Sequence, residues 1–279
     1  MYSFERRAFP PNAYNRGGDG SGSGDHLPND TLSFLLQAHY EAELKELYAK
    51  VVTLVEAGSR DSLMHIKQKM IGQLYAMLSA RPEQERRLLA SLINKLGDPE
   101  KKVASRLAYL LNQLTVHHPA MKAVILAEIQ KFVLRSNVSE ASQYYSAVCM
   151  NQMILTRSEP QIAHTLVLIY LSLFAARASA EGGKPLGSRM LSCILSGIHR
   201  AIPFCDHAST REQTGEVLTS QLTSLFRCAH AASFSTAVQA LMVLSHAAGF
   251  APSTNDRFHR ALYAAIHHPD LPTSAKQAL

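Results

Sequence analysis

The sequence predicts an all-α chain, a HEAT/armadillo-like helical-repeat solenoid behind a disordered N-terminal leader. Three observations carry this reading. From Thr31 onward apolar residues recur at helical spacing, and no stretch shows the sustained alternation of a strand. Helix breakers return about every 20 residues. Residues 1–30 hold five of the 14 glycines and three of the 12 prolines, including the glycine-rich run from Gly17 to Gly24. Such a segment buries too little apolar surface to offset its ordering entropy.

The helical stripes can be read in order. Leu88, Leu89, Leu92, Ile93 and Leu96 share one face. Val103, Leu107, Leu110, Leu111 and Leu114 form a second stripe, and Met121, Val124, Ile125, Ile129 and Phe132 a third. Gly58, Pro82, Gly97-Asp98-Pro99, Pro119, Asn137, Pro160, Gly182-Gly183 and Pro203 separate the segments. One helix per about 20 residues gives a pair per about 40, the period of HEAT-like arrays. A compact helical bundle is the alternative arrangement. Asp98 is placed to be an N-cap with Pro99 at N1, where the missing N–H costs nothing. Ser139 and Ser158 are placed to cap the next helices. A loop is expected from Pro203 to Glu216, with helices resuming at about 217–229, 236–247 and 256–266. The domain reading is a leader over 1–30 and one helical-repeat domain over 31–279.

Composition narrows the function. A hydrophobic fraction of 47% with 18% charged residues supports a sizeable core. Trp is absent, which disfavours a carbohydrate or aromatic-cage binder. Four cysteines in 279 residues do not make a disulfide scaffold. The longest apolar stretch, Thr165 to Ala178, is broken by Tyr170, Ser172 and Arg177 and is shorter than the roughly 20 residues that span a bilayer. With no apolar signal segment in residues 1–30, the chain is expected to be intracellular, with reduced thiols and no membrane partner.

Catalytic and metal motifs are missing. No Walker loop, G-x-G-x-x-G, H-E-x-x-H or Gly-x-Ser-x-Gly occurs. Cys205-Asp206-His207 and Cys228-Ala229-His230 are Cys-x-His units, not the Cys-x₂₋₄-Cys and His-x₃₋₅-His spacings of zinc sites. The pairs His117-His118 and His267-His268 each precede a proline at an expected helix end, where a histidine suits the dipole. Cys149 and Cys193 read as core. The chain is therefore expected to be non-enzymatic, without cofactor, metal or small-molecule substrate.

Charge gives the one physical lead. The net charge is +6, and residues 81–136 carry ten basic and five acidic groups, a net +5. Arg86, Arg87, Lys95, Lys101, Lys102, Arg106, Lys122 and Lys131 are the candidate polyanion- or partner-binding surface. Lys102 and Arg106 are one helical turn apart, and Tyr109 is the interleaved aromatic. A solvated, mixed-charge helix face would show the same composition.

The stretch PEQERRLLASLINKLGDPEKKVASRLAYLLNQL, residues 82–114, resembles the CCAAT-binding-factor family of nucleolar complex proteins. The likeness continues in order through HHPAMK (117–122), SEASQYY (139–145), Asn151-Gln152, Met190-Leu191-Ser192, GIHRA (197–201), SFSTAVQALMVL (233–244), DRFHRALYAAIHHPDL (256–271) and SAKQA (274–278). His199 stands for an Asn, Ser233 and Ser235 flank Phe234 where Asn is usual, and His259 replaces a Tyr. Members of this branch are longer, so the domain is expected to be incomplete at its C-terminus.

The resemblance implies a nuclear and nucleolar helical-repeat protein. It implies a non-catalytic scaffold in large-subunit ribosome assembly, bound to pre-ribosomal particles (rRNA and proteins) and to a sister nucleolar complex protein. The family name also carries the alternative of a DNA-binding transcriptional regulator at CCAAT-type promoters. A sequence-specific DNA reader needs a recognition helix with Arg, Asn or Gln at base edges, and no helix-turn-helix or basic-zipper pattern is present. A solenoid that binds only protein is the third reading.

Overall fold

A computed structural model describes residues 29–80, 83–178, 187–205, 215–231, 233–248 and 254–271. Among them every regular element is helical. The expected leader falls outside the described residues except for Asn29 and Asp30, which open the first helix. Most of the expected 203–216 loop also lies outside them. The described residues fall into two compact units divided at Met70–Ile71.

The first unit holds α1 (Asn29–Gly58) and the start of α2 (Met64–Ala80). Gly58 ends α1 where the chain doubles back: a Cβ there would lie 2.8 Å from Met70 Cγ. The turn is fixed locally. Ser59 Oγ donates to the Glu56 carbonyl at 2.7 Å, and Asp61 Oδ1 accepts the Leu63 N–H at 2.8 Å.

The second unit carries α3 (Glu85–Asn94), α4 (Lys101–His117), α5 (Lys122–Val133), α6 (Glu140–Gln152), α7 (Pro160–Ala178) and α8 (Ser188–Ala201). After them come α9 (Leu222–Ala231), α10 (Phe234–Ala248) and α11 (Asn255–Ile266). Packing follows two rows. Helices α4, α6, α8 and α10 each touch the next, while α3 packs on α5 and α5 on α7. Sequential partners α5–α6, α7–α8 and α9–α10 join the rows.

Burial follows the stripes. Leu88, Leu89, Leu92, Ile93 and Leu96 are buried, as are Val103, Leu107, Leu111 and Leu114. The α5 stripe is rotated from the expected one. Val124 is exposed and Met121 half-buried, while Leu126 and Val133 join Ile125, Ile129 and Phe132 inside. The cause is the start of the helix: Pro119–Met121 is a separate 3-10 turn, and α5 is phased from Lys122. It packs against α3, α6 and α7, so its buried face is wide.

The expected caps divide. Ser139 Oγ accepts the Ser142 N–H at 3.2 Å and caps α6. Asp98 does not cap α4. Its Oδ1 accepts the Glu100 N–H at 3.0 Å, forming a turn one step earlier, and Glu100 is the N-cap. Ser158 bonds the Thr156 hydroxyl at 3.0 Å, and α7 opens at Pro160.

A polar knot crosses α6, α7 and α8. Tyr170 O–H donates to Asn151 Oδ1 at 2.5 Å, and Asn151 Nδ2 donates to the Cys193 carbonyl at 2.9 Å. Gly197 makes room for it, since a Cβ there would press on Asn151 and lie 2.6 Å from Tyr170 Cζ. Arg200 donates to the carbonyls of Met153 at 2.7 Å and Met150 at 3.1 Å, the latter also accepting the Met153 N–H, and so fastens the end of α6. Burial lowers the Arg200 pKa, with Tyr170 opposing, and raises that of Tyr170. Side-chain bonds between these helices mostly join residues about one helix pair apart, from 37 (Lys122–Glu159) to 50 (Met150–Arg200).

Candidate polyanion-facing surface

Helix α4 builds the surface from the Gly97 break. Gly97 sits against Phe132, whose Cζ would lie 3.2 Å from a Cβ. The Asp98 turn and Pro99 then launch α4 with Val103, Ala104, Leu107, Ala108, Leu111 and Leu114 facing inward. The opposite face is fixed by the same periodicity. Lys101, Lys102, Ser105, Arg106 and Tyr109 are exposed. Among the described residues Lys101, Lys102 and Arg106 have no hydrogen bond or ion pair. Lys102 and Arg106 stand one turn apart on one face, while Lys101 lies about 100° around the helix from Lys102.

The other candidates separate. Arg86 is exposed on α3. Arg87 is half-buried and donates to Gln84 Oε1 at 3.3 Å. Gln84 itself has a positive φ of 56°, the left-handed region, as it turns the chain into α3. Lys95 is half-buried in the 3-10 turn Lys95–Gly97. Lys131 is exposed and paired with Glu128 at 2.6 Å. Lys122 corrects the expected surface. It is only 5% exposed, and its ammonium meets Glu159 at 2.7 Å. Burial pushes the Glu159 carboxyl up, but the bonds from Lys122 and Thr156 outweigh it and hold the carboxyl below its ordinary value. This pair ties the start of α5 to the entry of α7 and is unavailable to a polyanion.

Arg135 was not among the candidates. It donates to Asn94 Oδ1 at 2.8 Å and lies over the Phe132 ring at 5.7 Å. No sequence signal joins it to a residue 41 positions away.

The thiols are poor nucleophiles. Burial pushes Cys149 up to about 12. Burial also raises Cys193, to about 11, against the Asn151 hydrogen bond. Cys205 is buried and Cys228 half-buried, while Asp206 and His207 lie outside the described residues. His117 Nδ1 lies 2.8 Å from the Gln113 carbonyl, and the His268 ring stacks on Phe234. Among the described residues no three His, Cys, Asp or Glu side chains are grouped to hold a metal ion. No described helix is long and apolar enough to cross a membrane. Between α8 and α10, His246 Nε2 lies 3.2 Å from His199 Nδ1.

No protein-family model matches the chain. Curated relatives do. CCAAT/enhancer-binding protein zeta of Mus musculus is 36% identical over 245 residues, covering 88% of this chain and 22% of that protein. Ribosome biogenesis protein NOC1 of Chaetomium thermophilum is 33% identical over 290 residues, covering 92% of this chain and 27% of that protein. Nucleolar complex protein 1 of Drosophila melanogaster is 32% identical over 229 residues, covering 82% and 19%. The chain thus spans under a third of the length of each of these three. These names indicate no catalytic family. Over most of its length, at 32–36% identity, the chain is similar to the CCAAT-binding-factor/nucleolar complex protein 1 family.

Proposed function

We propose that this chain is the helical-repeat part of a non-catalytic ribosome-assembly scaffold, working in the nucleus and nucleolus on large-subunit precursors. It binds the pre-ribosomal particle, its RNA and proteins, together with a sister nucleolar complex protein. The two-row packing, in which helices contact their second neighbours along the chain, supports a HEAT-like solenoid as the scaffold. The names of the Chaetomium and Drosophila relatives support the process.

The observation that carries the binding reading is that Lys101, Lys102 and Arg106 on α4 are exposed and have no side-chain partner among the described residues. Unpaired exposed cations bind phosphates through counterion release, with strong salt dependence and little sequence preference. The mouse relative's name favours duplex DNA as a second ligand.

The test is the triple variant Lys101→Glu, Lys102→Glu, Arg106→Glu, expressed with a tag and sedimented from lysate. The variant is expected to keep its helical circular dichroism and to leave the pre-ribosomal fractions at moderate salt. Retention of the folded variant on particles would remove this surface from the binding reading. Wild-type sedimentation with chromatin rather than particles would favour the DNA reading.

A further inference from the structure

We propose that Tyr109 is a stacking platform for an unpaired RNA base, with Lys102 and Arg106 holding the flanking phosphates. The proposal rests on the RNA-facing reading of α4 and names what that surface selects.

Three large exposed tyrosines stand among the described residues: Tyr40 (62% exposed), Tyr109 (59%) and Tyr263 (64%). Their surroundings differ. Tyr40 has Glu41 and Glu43 close by in sequence and a tilted contact with His39. Tyr263 follows Arg260, whose guanidinium is already paired with Asp256 at 2.9 Å. Tyr109 follows two cations that have no partner among the described residues. Its ring and hydroxyl also have none.

Helical geometry puts the three side chains on one stripe. Arg106 precedes Tyr109 by three residues and Lys102 by seven, so at about 100° per residue all three lie within about 60° around α4. At about 1.5 Å per residue Arg106 and Lys102 stand about 4.5 and 10.5 Å along the axis from the ring. The nearby acids are set apart. Glu100 is at the N-cap, before the stripe begins, and the Asp98 carboxylate accepts the Glu100 N–H. Ser105, about 40° outside that arc, is exposed and adds no charge.

This arrangement discriminates among polyanions. An acidic protein surface would use the cations and bury the ring against apolar atoms, a use that requires no free base face. A duplex keeps its base faces stacked on one another, so the ring has nothing to receive. A single strand offers both a phosphate backbone and free base faces, and an aromatic on a basic surface uses both.

The experiment measures the affinity of the 279-residue chain for a labelled oligouridine and for a blunt RNA duplex of equal length, across a salt series. Tyr109→Ala is expected to weaken oligouridine binding about 5- to 150-fold, the range for losing one base stack. It should leave duplex affinity and the salt slope unchanged. Tyr109→Phe should retain affinity, because the ring face does the work, and Tyr263→Ala should match wild type. The Glu triple variant should weaken both ligands and flatten the salt slope. Equal loss on both RNAs, or no loss, for Tyr109→Ala overturns the stacking role. If the triple variant still loses both, the RNA-facing surface survives that result. If wild type binds neither RNA, the stacking role and the RNA-facing reading both fall.

Discussion

Helices α1 and α7, the two longest among the described residues, have opposite burial. Neither has a single clean apolar stripe. In α7, Ala163, Leu166, Val167, Ile169, Tyr170, Leu171, Leu173 and Phe174 are all buried, because α5 lies on one side and α8 on another. In α1, Val52 is the one buried hydrophobic residue, while Leu36, Leu44, Leu47, Val51 and Leu54 are exposed. Its side chains pair along the helix instead, as Lys50 with Glu46 at 2.8 Å and Gln37 with Glu41 at 3.1 Å. Such pairs contribute only a few tenths of a kcal/mol each. Burial therefore follows composition and neighbours together: α1 carries seven charged residues and α7 one, and α7 is flanked on two sides.

The sharpest break of that comparison is a matched pair of substitutions. Leu92→Asp places a charge at a site with no solvent exposure and is expected to cost several kcal/mol, about 4 or more, unfolding the packing around α3. Leu44→Asp, at a residue 66% exposed, is expected to change stability by about 0.5 kcal/mol or less. Urea titration followed by circular dichroism reads both. A large cost for Leu44→Asp would show that α1 is covered in solution.

A second break adds rather than removes volume. Gly197→Ala would drive a methyl into Asn151 and Tyr170. Overpacking costs about 1–3 kcal/mol, of which helix propensity returns about 1, so a net loss of up to about 2 kcal/mol is expected. A lowered urea midpoint with an unchanged slope is the signature. A stabilised variant would mean that the knot between α6, α7 and α8 is loose.

The smallest effect is a pH dependence. Burial, and then the charge of His199, lower His246 below 6.5, and burial lowers His164 in the same direction. Above pH 6.5 both states leave these rings neutral. As the pH falls below 6.5 the unfolded chain takes up protons that the folded chain resists. Stability then declines until the lower folded values are reached and levels off. Urea midpoints at pH 7.5 and 5.5 check this. His199→Asn removes the neighbouring charge and should narrow the gap; an unchanged gap would leave His199 out of it.

What the sequence disclosed was local. The stripes at 88–96 and 103–114 were legible because helical period is a property of neighbours in sequence. So was the cation pair Lys102 and Arg106, one turn apart. The α5 phase was not legible, because it depends on where the 3-10 turn at Pro119 hands over to the helix. Lys122 looked like a surface cation because its partner, Glu159, is 37 residues away. The Asn151, Tyr170, Cys193 and Arg200 knot was hidden for the same reason: its members stand on three helices. Blocks that carried the family resemblance, Asn151-Gln152 and Gly197 to Ala201, include members of that knot.

The span of those cross-helix bonds has a kinetic consequence. Lys122 with Glu159, Asn94 with Arg135 and Ser196 with Gln239 close loops of 37, 41 and 43 residues. At a synthesis rate of about 5–20 residues per second, the chain needed to close each loop follows within about 2 to 10 seconds. The second unit can therefore consolidate step by step behind the ribosome that makes it. Each newly closed helix pair offers its open face to the next pair to emerge.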